Sequence, residues 1–194
     1  MAQRYLGLDI GTASVKAAVV TGSVKSWGVV ERFEEPIEPG DELQWPERAR
    51  SALARLAGRL RAEAIAAALP PTAVIGTRFR LNLTDPRKVA AAVGFELEAH
   101  MIHELDQVVF DYRVDARDEQ GSEISIAYAP KTDVAAALDM LAGAHADPRH
   151  LVPAAAALKF AGRMMDPART GAGPYLVVDV GRRCLQVYAA WHPE

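Results

Sequence analysis

The sequence predicts an α/β protein, and three observations carry that prediction. Near the start, Leu6, Leu8 and Ile10 alternate with Gly7 and Asp9, which is the period of a strand. Later, apolar residues recur at helical spacing, as in Ala49, Leu53, Leu56 and Leu60 and again in Val89, Val93 and Leu97. Finally, the opening strand–turn–strand pattern returns close to the other end of the chain. The 194 residues suffice for one domain, or one domain with an appended piece.

Each element follows from its local pattern. After the first strand, Gly11-Thr12 makes a turn, and Val15, Ala17 and Val19 continue as a second strand. A third runs through "SWGVVERF" (26–33) after a turn at Gly22-Ser23, so short turns give an antiparallel meander. "EEPIEPGDELQWP" is a proline-rich loop. From Pro46 a helical face extends through Leu60 and Ala64 until Pro70-Pro71 stops it, with Arg48, Arg50, Arg55, Arg59 and Arg61 on its solvated side. "TAVIGTRFRLNL" supplies one or two strands, and Asp85-Pro86 reads as an N-cap and first-turn residue for the next helix. Residues 107–114 and 122–129 alternate as strands around an acidic, glycine-containing turn. Pro130 opens a helix through Val134, Leu138 and Leu141. A short strand at His150–Val152 and an alanine-rich helix to about Met165 come next, with Phe160 and the paired methionines packing a core. "DPARTGAGP" is a linker, and "YLVVDV" and "CLQVYAAW" are the last two strands.

Composition excludes several classes. Half the residues are apolar, 24% are charged and the formal net charge is -3, so no polyanion-binding role is supported and no nucleic acid is expected. Cys184 is the only cysteine, which rules out an internal disulfide and suits a reducing compartment. No apolar run reaches the roughly 20 residues of a membrane-spanning helix, and "MAQRYLGL" lacks the apolar core of a signal peptide. A cytoplasmic chain is expected. His100 and His103, with Glu98 and Glu104 nearby, lack an obvious third ligand, so no metal site is expected.

The repeat is the most informative feature. "YLGLDIGTASVKAA" and "YLVVDVGRRCLQVY" align without a gap at a constant offset of 170 residues, pairing Tyr5 with Tyr175, Leu6 with Leu176, Asp9 with Asp179 and Gly11 with Gly181. Two related lobes are implied, the second cut off almost at its start, which would make this chain a fragment. In the first bend Gly11 permits close approach to a phosphate, Thr12 and Ser14 offer hydroxyl donors, Lys16 adds positive charge, and Asp9 is suited to a hydrated magnesium ion. The same spacing also describes a plain tight hairpin with Asp9 satisfying turn amides and Lys16 in solvent. Nor is it a GxxxxGK[ST] loop.

"LGLDIGTASVKAAVV" resembles the first phosphate motif of the actin-like superfamily. Within it, "TDPRKVAAAVGFELEAHMIHELDQVVFDYRV" is similar to the PilM and GspL group, through Phe95, Glu96, Glu98, Leu105, Asp106, Val108, Val109, Asp111 and Tyr112. The departure is Ile102-His103, where relatives carry Pro-Phe. The resemblance implies an actin-like (ribonuclease-H-like) α/β lobe formed by 1–84 and 145–174, a small α/β subdomain inserted at 85–144, and the first hairpin of a second lobe at 175–194. It leans slightly toward GspL.

By the same resemblance, the chain is a cytoplasmic adaptor at the bacterial inner membrane, serving a type IV pilus or type II secretion platform. Its expected partners are platform proteins, through a short cytoplasmic peptide or the N-terminal domain of an assembly ATPase, and a homo-oligomer is compatible. Phe95, Glu98, Asp106, Val109, Asp111 and Tyr112 are the expected partner-binding residues. If the Asp111 strand lies at a sheet edge, a peptide can add beside it. The nucleotide set is Asp9, Gly11, Thr12, Ser14, Lys16, Asp179 and Gly181, read as vestigial. In the second bend Arg182-Arg183-Cys184 replace the small hydroxylated residues and Gln186 stands opposite Lys16's place. The connection "VPAAAA" (152–157) contains no carboxylate, hydroxyl or amide to activate water. No catalysis and no cofactor are expected, ATP with magnesium being possible only in a two-lobed protein. The competing readings are a nucleotide-binding actin-like ATPase or phosphotransferase, and a filament-forming relative.

Overall fold

The computed structural model describes residues 3–22, 26–165 and 174–190. They fall into two compact units, Met1–Pro71 with Ala137–Glu194, and Thr72–Ala136.

The first unit opens with the expected meander. Strands β1 (Gln3–Ile10), β2 (Ser14–Gly22) and β3 (Trp27–Pro36) run antiparallel, with Asp9 paired to Lys16 and Lys16 to Glu34. Leu6, Leu8, Val15, Ala17 and Val19 all point to one face and are buried there. Helix α1 (Trp45–Leu56) covers that face with Ala49, Ala52, Leu53 and Leu56. Each large side chain so buried contributes about 1.5–3 kcal/mol, which offsets the cost of ordering the backbone.

One expectation fails here. The helix does not continue to Pro70: it ends at Leu56, a single 3-10 turn spans Ala57–Arg59, and Ala64–Leu69 is strand β4, parallel to β1. "AIAAAL" buries Ile65, Ala67 and Leu69 at period two. Alanine favours helices, but only weakly, and the vacant parallel position beside β1 decides the outcome.

In the second unit, β5 (Ile75–Leu81) leads to helix α2 (Pro86–Ala99). Asp85 caps α2 by accepting from the Arg87 amide at 2.8 Å, as its sequence suggested. Val89, Val93 and Leu97 are fully buried and pack with Leu81, Val108, Ile124 and Ile126. Strands β6 (Val108–Asp118) and β7 (Gly121–Pro130) form a hairpin, and the sheet order is β5-β7-β6. Gly121 is required at its turn: a Cβ there would sit 2.1 Å from the Leu81 carbonyl oxygen, and φ is 157°.

Helix α3 (Lys131–Ala142) places Met140 and Leu141 in the core of the first unit. Strand β8 (His150–Pro153) pairs parallel with β4, completing the order β3-β2-β1-β4-β8. Helix α4 (Ala154–Met165) follows, and Phe160 on it is 61% exposed rather than in a core. The expected linker lies outside the described residues except for Pro174, as do the side chains of Met164 and Met165. The last hairpin is β9 (Tyr175–Val180) with β10 (Leu185–Ala190). It approaches α4 at Gly162, where an added Cβ would meet the Val177 side chain at 2.7 Å.

Candidate functional site: two matched hairpin bends

The two bends expected from the repeat have the same construction. In the first, the Gly11 amide donates to the Ser14 carbonyl at 3.0 Å; in the second, the Gly181 amide donates to the Cys184 carbonyl at 2.9 Å. A Cβ at either glycine would press on the carbonyl oxygen it binds, at 3.1 Å and 2.9 Å respectively, so the bend itself selects glycine. The strand pairs correspond too: Asp9 lies opposite Lys16, and Asp179 opposite Gln186.

The two acids face the same space. Asp9 keeps an exposed edge, yet packing removes enough water from its carboxyl to push its pKa above the ordinary range. Lys16 pulls that pKa back down, and the Asp179 carboxylate pushes it up. Gln186 donates to Asp179 at 3.4 Å, and its amide oxygen is buried with no partner. A neutral amide thus stands where the first bend has an ammonium.

The rest of the first bend is engaged within the protein. Ser14 donates its hydroxyl to Glu34 at 2.7 Å. The Thr12 carbonyl accepts from the Trp45 indole at 3.3 Å, and the Ala13 carbonyl from the Ile37 amide at 2.8 Å. Beside Thr12, the side chains of Arg182 and Arg183 meet Pro39, Gly40, Trp45 and Arg48 around a space of only about 40 Å³. Arg183 is held there by Glu42 at 2.7 Å. That volume accommodates about one water molecule, far below the several hundred Å³ of a small-molecule site.

A larger trough of about 620 Å³ is lined by Asp9 and Lys16. Its floor is Gly7, Ala18, Ala66 and Ala68, and Arg32, Glu34, Val152 and Ala157 stand around it. The strand-to-helix connection contributes only Val152 and Ala157, so no general base comes from there. The structure therefore brings Asp9, Lys16 and Asp179 together, keeps Gly11 and Gly181 as bend formers, and turns Ser14 toward Glu34. Trp45, Glu42 and Glu34 were not foreseen. Trp45 and Glu42 lie in or beside the proline-rich loop, and no local pattern reports where such a loop lands.

One face of the second hairpin is uncovered by described residues. Leu176, Val178, Val180, Leu185 and Val187 share that face and are each 51–75% exposed.

In the second unit, the sequence condition on Asp111 is met: among the described residues β6 pairs only with β7 and is an edge strand. Val108, Phe110, Tyr112 and Val114 turn toward α2, while Val109 and Asp111 are exposed. Gly94 of α2 sits 3.5 Å and 3.6 Å, measured from an ideal Cβ, from Leu105 and Phe110. Phe95 and Glu98 are exposed on α2, and Asp106 is exposed in the short turn before β6. His100 bonds Glu96 at 3.2 Å and stacks on Phe79, and His103 packs edge-on to Tyr128. Among the described residues no group of three or more His, Cys, Asp or Glu could hold a metal.

No family model and no curated protein matches the chain. Solved structures do. A chain of the "PilM-PilN type IV pilus biogenesis complex" is similar over 95% of this chain and 57% of its own length, with a TM-score of 0.74 and 24% identity. The cytoplasmic domain of EpsL, an inner membrane component of the type II secretion system of Vibrio cholerae, is similar over 97% of this chain and 71% of its own length. Its TM-score is 0.63 and its identity 14%. Of these two the PilM–PilN chain is the more similar. The chain has the actin-like fold of these structures and spans just over half the length of the first.

Proposed function

We propose that this chain is part of a non-catalytic adaptor at the inner-membrane platform of a type IV pilus or type II secretion machine. The observation that carries the reading is the second bend. It keeps the backbone of the first bend, but Arg182 and Arg183 stand beside Thr12 and Gln186 stands where the first bend has Lys16. The actin-like fold shared with a pilus biogenesis complex and a secretion component supports that class of machine. No helix among the described residues is long and apolar enough to cross a membrane, and in this reading the chain is attached through partners. Those partners are a short cytoplasmic tail of a membrane protein or the N-terminal domain of an assembly ATPase, held by the surface around Phe95, Glu98, Asp106, Val109, Asp111 and Tyr112.

The test is capture. The cytoplasmic tail of the membrane protein encoded beside this one, immobilised, should retain the protein at micromolar concentration, and changes within 85–114 should abolish retention. No capture by any platform component would overturn the adaptor reading. The second reading, a nucleotide-binding relative, is favoured by the intact first bend with Lys16 opposite Asp9.

A further inference from the structure

Strand β6 has one unpaired edge, and two hydrogen bonds identify the atoms along it. The Val108 amide donates to the Leu105 carbonyl, and the Tyr112 amide donates to the Asp111 carboxylate at 2.8 Å. Neither amide is given to β7. Backbone groups alternate along a strand, so the even-numbered residues here turn theirs outward and the odd-numbered ones bond β7. The Phe110 amide and the carbonyls of Val108, Phe110 and Tyr112 therefore face the open edge.

Natural edges are guarded by prolines, bulges or lysines. Val108–Arg113 has no proline or lysine, its one basic side chain, Arg113, donates to Asp115 at 2.7 Å, and the register shift of β6 comes only between Val114 and Ala116. The guard in this stretch is Asp111, whose carboxylate occupies the very amide an incoming strand would need.

The surroundings define what can add. At the start of β6, Glu98, Glu104, Leu105 and Asp106 line an open concavity of about 500 Å³ that contains no basic side chain. Phe95 lies one helical turn before Glu98 and is 77% exposed; Ile102, two residues before Glu104, is 91% exposed. A strand laid along β6 meets negative charge at one end and apolar surface close by.

We propose that the β6 edge pairs with an extended, largely apolar segment of a partner protein whose basic end reaches Glu98, Glu104 and Asp106, and that Asp111 is a latch that must leave the Tyr112 amide for pairing. This rests on the adaptor reading for the partner's source, but not for the geometry. A second copy of this chain is the other occupant, and it would show as a dimer.

The test is amide NMR on the chain with two blocked hexapeptides, RITVTV and its charge-reversed form EITVTV. The arginine peptide should protect the Phe110 and Tyr112 amides from exchange and bind at least tenfold more tightly than the glutamate peptide. Asp111→Ala should tighten both peptides several-fold, which loss of an attractive charge alone could not do for the cationic one. Paired Glu98→Gln and Asp106→Asn changes should erase the preference. Equal binding of the two peptides, protection elsewhere, no response at millimolar peptide, or a dimer formed through these amides would each overturn the proposal. Platform capture that survives the paired Glu98 and Asp106 changes would overturn it while leaving the adaptor reading intact. Peptide pairing on β6 without any platform partner would do the reverse.

Discussion

Burial raises the pKa of Asp9 on the first hairpin, and against the pull of Lys16 the Asp179 carboxylate on the second hairpin adds to that rise, so two acids in equivalent positions share one electrostatic environment. A phosphate site would neutralise such a pair with metal or lysine. Here one acid lies opposite Lys16 and the other opposite Gln186, whose amide donates to it.

A pH dependence follows from that relationship. The folded chain keeps the Asp9 proton to higher pH than the unfolded chain, so between the two pKa values it binds more protons and stability falls as pH rises. Above the raised value the ionised Asp9 is a net cost. Asp9→Asn is expected to melt above the parent at pH 7 and to lose that advantage as pH falls from the raised value to the ordinary 3.8. Melting curves across pH 3–7 check this, and a variant less stable at pH 7 would contradict it. In a carboxyl NMR titration, Asp179→Asn should lower the Asp9 midpoint and Lys16→Met should raise it.

The turn between β6 and β7 tolerates no side chain at Gly121. Gly121→Ala must displace the Leu81 carbonyl and should cost at least about 1 kcal/mol of stability. Gly28→Ala is the control, since a Cβ there meets nothing within 4 Å. Denaturant titration of both variants measures the difference.

Helix α2 separates core from cap contributions. Leu97→Ala leaves a cavity in a fully buried site and should cost about 2–5 kcal/mol. Asp85→Ala removes only the Arg87 contact and should cost about 1 kcal/mol. Comparable losses for the two would contradict this reading of the helix.

The second hairpin is seated on α4 through Gly162. Gly162→Val would collide with Val177 and Tyr175 and should lift that hairpin while leaving the first unit's core folded. The Tyr175 and Tyr188 ring signals, whose centroids lie 6.2 Å apart, would report the displacement by NMR. Unchanged ring shifts would sink it.

The bends were legible in sequence because their backbone demands particular residues: a glycine whose Cβ would strike a carbonyl, and strand residues in fixed register around it. The α2 cap was legible for the same local reason. Strand β4 was not, because "AIAAAL" suits either period and only the position beside β1 separates them. The contacts of Trp45 and Glu42 were hidden because loops are placed by tertiary packing. The edge position of β6 was posed as a condition and not decided, since strand order leaves no trace in periodicity.

We propose that the second bend does not admit a phosphate chain. Calorimetric titration of ATP with magnesium into the protein at its full natural length tests it most directly. No saturable heat is expected at micromolar protein, with no change in Lys16→Ala. Micromolar binding that disappears in Lys16→Ala would contradict it.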